Sequence, residues 1–176
     1  MNEMSDMKRR PAPTVAPQAL AWDGNEIWVS SRDLGTLYRI DVEKWKIIEE
    51  FDPPGIVWAA VAVNDGWRLT IGKGLNDDRY VYRYTAGDGF RKLFACPEFT
   101  GSYLSFDGEH LYLSQWYKGV IRQLDEGGQT VREIAVDEEI CGHTFVDGML
   151  YVLRGQENKN VPDKAEEWRI ARLDPQ

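Results

Sequence analysis

The sequence predicts an all-β chain, folded as a β-propeller of four four-stranded blades, and three observations carry that prediction. Asp-Gly recurs in register at Asp23-Gly24, Asp65-Gly66, Asp107-Gly108 and Asp147-Gly148, at intervals of 42, 42 and 40 residues. Each copy joins two alternating, strand-like apolar runs, ALAW to EIWVSS, VAVN to WRLTIG, YLSF to HLYLSQ and HTFV to MLYVLR. A third run follows in every copy, and no amphipathic helical stretch of useful length interrupts the series. Repeats of about 40 residues, each holding four short strands, are the blades of propellers. Asp88-Gly89 lies outside the register, so the flanking runs, not the dipeptide, carry the argument.

The units run over about 16–55, 56–100, 101–141 and 142–174, and together with a leader over 1–15 they make residues 1–176 one domain. In each unit Asp-Gly supplies the positive φ of a tight hairpin between the first and second strands. The third strands are TLYRID, YVYRYT, VIRQLD and RIARLD, and WKIIEEF, FRKLFA and TVREIAV add an outer strand to the first three units. The fourth unit has no outer strand of its own. The leader MKRRPAPTV stands where one would precede the first unit, which predicts that residues 7–15 close the last blade. Pro11 and Pro13 are tolerated at such an outer edge. The alternatives are a leader that is only a tail, and two chains that share one eight-bladed ring. Trp22, Trp28 and Phe106 are expected to pack between blades.

A net charge of −8 removes the basic face that nucleic acid or an anionic membrane requires, so neither is expected as a partner. Cys96 and Cys141 share no metal or redox spacing and read as free thiols. The basic N-terminus is followed by no apolar stretch of signal-peptide type, and no run is long enough to span a bilayer, so a cytoplasmic location is expected.

The phrases ALAWDGNEIWVSSRDLGTLYRID and YLSFDGEHLYLSQWYKGVIRQLD resemble the repeats of a broad propeller group. That group holds the NHL-repeat, SMP-30/gluconolactonase-like, glutamine-cyclotransferase-like and virginiamycin B lyase-like proteins. The resemblance covers about 16–174 and is specific for the repeat rather than for any one member. Its members typically have six or more blades, and this chain has four units.

In a propeller the loops at the mouth of the channel vary in length and chemistry, which suits them to a selective site. The candidates for ligand contact there are Trp58, Tyr103, Trp116, Tyr117, Arg32 and Asp33. His143, with Glu139 and Glu138 nearby, is the candidate acid/base, because imidazole titrates near neutrality. Asp77 and Asp78, next to Asn76, could hold Ca²⁺ or Mg²⁺ through hard oxygen donors. The loop over 155–167 could cover the mouth. There is no phosphate-cradling glycine loop, no nucleophile elbow and no cofactor signature. The inner strands carry almost no metal ligands apart from Asn64, which speaks against a gluconolactonase-type metal centre. These residues predict a non-catalytic propeller, as a monomer or homodimer, binding a small polar or cationic molecule or a protein segment. The resemblance implies an alternative, a metal-assisted lyase or hydrolase of the virginiamycin B lyase type with His143 as acid/base.

Overall fold

The computed structural model describes residues 10–74, 78–156 and 167–175. Four antiparallel sheets, each built from consecutive strands, form a four-bladed β-propeller. Blade 1 holds β1 (Pro17–Trp22), β2 (Ile27–Ser31), β3 (Leu37–Asp41) and β4 (Lys46–Phe51). Blade 2 holds β5 (Ile56–Val63), β6 (Gly66–Gly72), β7 (Tyr80–Thr85) and β8 (Gly89–Ala95). Blade 3 holds β9 (Tyr103–Phe106), β10 (Leu111–Gln115), β11 (Val120–Leu124) and β12 (Thr130–Ala135). Blade 4 holds β13 (Glu139–Val146), β14 (Met149–Gln156) and β15 (Glu167–Leu173).

Alternation along each strand sends one set of side chains to the preceding blade and the other set to the following one. The result is a separate apolar seam at each junction. Trp28 and Leu37 meet Val57, Trp67, Leu69 and Ile71 between blades 1 and 2. Val81 meets Leu104, Leu113 and Leu124 between blades 2 and 3. Tyr112 and Ile121 meet Ile140, Leu150 and Val152 between blades 3 and 4. Polar bonds cross the same junctions: Ser30 Oγ donates to the Val57 carbonyl at 2.8 Å, and Arg79 donates to that of Gly101.

The junction of blade 4 with blade 1 is built differently. β5 packs along β1, β9 along β5 and β13 along β9, whereas β1 and β13 make no comparably extensive contact. Val29, Tyr38 and Ile40, on the face of blade 1 turned away from blade 2, form a cluster of their own with Ile27, Trp45 and Ile47. Trp22 is 52% exposed, contrary to the expected inter-blade position; it alternates with Ala19 and Ala21, which pack toward blade 2. Trp28 is buried as expected, and Phe106 is half-buried.

Of the expected closure strand over 7–15, residues 7–9 lie outside the described residues, and the described part is corrected. Residues 10–15 form no ladder, and blade 4 has three strands among the described residues. The leader bonds to blade 1 instead: the Trp45 indole donates to the Pro11 carbonyl at 2.8 Å, and Ser31 Oγ donates to that of Val15 at 2.7 Å. Pro11 and Pro13 have no N–H to give a ladder, while the apolar face of blade 1 offers Trp45 and Ile40 to cover.

The Asp-Gly turns are not all of the one kind expected; in blade 2 the turn is Asn64-Asp65, and Gly66 already opens β6. In blade 4, Asp147 (φ 50°) and Gly148 (φ 76°) form the tight two-residue turn between Val146 and Met149. Blades 1 and 3 have four-residue loops in which the aspartate caps backbone N–H groups. Asp107 Oδ1 accepts from the amides of Glu109 (2.8 Å) and His110 (2.6 Å), and Oδ2 accepts from the Tyr112 hydroxyl at 3.0 Å. Asp23 repeats this with Asn25, Glu26 and the indole of Trp28. The aspartate is needed there as an acceptor, not for a positive φ.

Candidate functional site

The inner strands converge on an axial cavity of about 390 Å³. β1 contributes Gln18, Ala19 and Leu20, and β5 contributes Trp58, Ala59 and Ala60. β9 adds Tyr103 and Leu104, and β13 adds Cys141, Gly142 and His143. Three predicted residues, Trp58, Tyr103 and His143, thus meet on one wall system although 45 and 40 residues separate them in turn. No carboxylate among the described residues lines the cavity.

His143 points toward blade 3, where both ring nitrogens are engaged. Nε2 lies 3.3 Å from the Tyr103 carbonyl, which can only accept, so Nε2 carries the proton. Nδ1 then accepts from the Ser105 hydroxyl at 2.6 Å. Burial pushes the imidazole down to about 4, against a smaller upward pull from the Tyr103 carbonyl. At neutral pH His143 is an uncharged bridge between β9 and β13.

The neighbouring carboxylates do not reach it as partners. Glu138 pairs with Arg154 at 3.3 Å, and Glu139 opens β13 opposite Gly155. Arg32 and Asp33 pair with each other at 3.3 Å in the β2–β3 turn, away from the cavity lining. Trp116 and Tyr117 occupy a single 3₁₀ turn after β10, where the Trp116 amide donates to Ser102 Oγ at 3.1 Å and Tyr117 is exposed. The candidate ligand residues thus split into an axial group and a peripheral one.

Asp77 and Asn76 lie outside the described residues, as does most of the 155–167 loop. Asp78 caps the amide of Lys73 at 2.7 Å. No group of three or more His, Cys, Asp or Glu among the described residues is arranged to hold a metal ion. Asn64 turns away from the axis and donates to the Gly108 carbonyl at 3.3 Å. Cys96 and Cys141 form no disulfide, and burial pushes the Cys96 thiol up to about 12.

Sequence reasoning missed Gln18 and Cys141 as cavity residues, and Arg79 beside them. The guanidinium of Arg79 stacks over the Trp58 ring, 4.1 Å from its centroid. Inner-strand register would have found the first two. Arg79 gives no such signal, because it comes from the β6–β7 loop.

No protein-family model and no curated protein matches the chain. Among solved structures it is similar to hydrazine synthase of Kuenenia stuttgartiensis, at 12% identity and a TM-score of 0.62, over 91% of this chain and 51% of that one. It is also similar to glutaminyl cyclase of Myxococcus xanthus, at 13% identity and a TM-score of 0.61, over 90% of this chain and 74% of that one. The computationally designed Ika4 protein matches at 18% identity and a TM-score of 0.56, over 90% of this chain and 92% of that one. The chain thus spans about half of the hydrazine synthase chain and nearly the full length of the designed one. At these identities the likeness is one of fold, and it agrees with the propeller group that the repeats resemble.

Proposed function

We propose that this propeller is a non-catalytic binding module whose ligand, a small polar molecule, enters the axial cavity. The observation that supports this most is the state of His143 within that cavity. A general base needs a free lone pair directed at substrate, and here one nitrogen is protonated toward Tyr103 while the other accepts from Ser105. What the cavity offers is shape, an indole, a phenol and an amide, held on four rigid strands. The uncharged lining favours a polar ligand over a cation.

Gly142 gives a clean test, because a Cβ added there meets nothing within 4 Å and so extends into open space. Gly142→Leu should fill part of the cavity while leaving the fold intact. Succinate, glucose and tetramethylammonium, offered separately in calorimetry and thermal-shift titrations, sample three ligand chemistries. A probe that binds wild type and Trp116→Ala but not Gly142→Leu supports the axial site. Binding that Gly142→Leu leaves unchanged places the ligand elsewhere and ends this reading.

A further inference from the structure

Trp58 is 7% exposed, lines the axial cavity, and its indole N–H finds no acceptor among the described residues. Buried indole N–H groups usually have a partner, since leaving one unpaired forfeits the hydrogen bond it made to water when unfolded. The contrast within the chain is direct: the indoles of Trp28 and Trp45 donate to Asp23 and to the Pro11 carbonyl. An orphaned donor at the wall of a cavity is a place prepared for an acceptor that arrives with a ligand.

The surroundings narrow what carries that acceptor. The Arg79 guanidinium covers one face of the same indole, so that π-face is already taken by a cation. A ligand cation would find the ring occupied and a positive charge beside it. A sugar would lose the stacking face and would bring several hydroxyls to a lining whose His143 already has both nitrogens committed. An anion meets the opposite situation: an unpaired N–H, a nearby guanidinium and no carboxylate among the described lining residues to repel it.

We infer that the axial cavity takes a small carboxylate, one oxygen of which accepts the Trp58 indole N–H while Arg79 supplies the compensating charge. This rests on the cavity being the binding site, as proposed above, and adds the ligand's chemical class and its anchoring residue. At about 390 Å³ the cavity suits a metabolite-sized acid rather than a peptide.

The test is calorimetric titration of the whole chain at neutral pH with succinate, glucose and tetramethylammonium in turn. Succinate should bind, the other two should not, and affinity should fall about tenfold in Trp58→Phe, which keeps a ring and removes the donor. Arg79→Gln should weaken succinate at low salt and lose most of its effect at high salt, as a charge contribution does. An independent readout on wild type guards against a poorly folded variant: the Trp58 indole N–H proton resonance should move downfield as succinate is added. Succinate binding that Trp58→Phe leaves intact, or an unmoved Trp58 resonance at saturation, overturns the carboxylate anchor. If Gly142→Leu still blocks the site in that case, the cavity reading survives it. Preference for glucose or tetramethylammonium overturns the ligand class alone. Succinate binding that Gly142→Leu leaves unchanged refutes the cavity and the anchor together, and so does the absence of binding by all three probes.

Discussion

Trp28→Ala should be among the most damaging single substitutions in the chain. The side chain is 4% exposed and sits where blade 1 meets blade 2. Its ring stacks on Phe51 with centroids 4.8 Å apart, and lies 4.5 Å from Trp67 and 5.8 Å from Tyr84. Truncating a buried tryptophan costs about 3–5 kcal/mol in lost transfer energy and residual cavity. Three ring partners, each worth about 0.5–1.5 kcal/mol beyond area burial, put this site at the upper end. The indole also donates to Asp23 Oδ2 at 2.9 Å, a bond worth about 1–2 kcal/mol that Trp28→Phe removes while keeping most of the packing. The expectation is a loss of about 5 kcal/mol for Trp28→Ala and about 1–2 kcal/mol for Trp28→Phe, against a typical total of about 5–15 kcal/mol. Urea denaturation followed by circular dichroism gives both values from the midpoint and slope. A double-mutant cycle of Trp28→Phe with Asp23→Ala should return a coupling of about 1 kcal/mol. A loss below about 1 kcal/mol for Trp28→Ala would mean that the blades are not held together by this cluster.

Stability should fall in two stages on acidification. The His143 imidazole lies at about 4 when folded and near 6.5 when unfolded, so its contribution is complete above about pH 6.5 and is lost as pH falls toward 4. Asp23 and Asp107 follow: burial alone would raise their values, but bonds from backbone amides and from Trp28 or Tyr112 leave both below 3.8, so their stabilisation persists above that pH and is lost below it. Melting curves from pH 7 to 3 should show both stages, and His143→Gln should remove the first; an unchanged upper stage would assign it to another group. Gly128→Ala should cost about 2 kcal/mol, because Gly128 has φ +82° and a Cβ there would lie 2.2 Å from the Phe94 ring. An unaltered melting temperature would show that Phe94 moves aside freely. Ile170→Asp should shift stability by no more than about 0.5 kcal/mol, since Ile170 is 73% exposed on the uncovered face of blade 4. A drop of several degrees, together with a doubled mass in light scattering, would instead show that a second copy covers this face in solution, as in the eight-bladed alternative.

The blade repeat was legible because a strand writes its environment into alternate residues. Val29, Leu69, Leu113 and Val152 sit on second strands, and each faces its blade's apolar seam or cluster. The different Asp-Gly turns were not distinguished, although for blades 1, 3 and 4 the spacing held the clue. Ile27 and Leu111 start their strands four residues after the aspartate, whereas in blade 4 Met149 follows two after it. The leader was misplaced for a different reason. Its sequence admits an outer strand of blade 4 or a cover for blade 1, and two prolines cannot serve a ladder as well as they serve an apolar surface carrying Trp45.

The sequence by itself determined the number of blades and the order of the strands, since both follow from short-range alternation and a fixed repeat length. It also placed Trp58, Tyr103 and His143 together at the channel mouth, because each lies in or near the start of an inner strand. Tertiary structure alone decided what those residues do there. That Nδ1 of His143 accepts from Ser105, 38 residues away, and that Arg79 stacks over Trp58, are contacts between blades. Whether blade 4 seals against blade 1 depends on how three successive junctions turn the chain about its axis. That angle is set by side-chain packing in each seam, and no local pattern of residues encodes the sum.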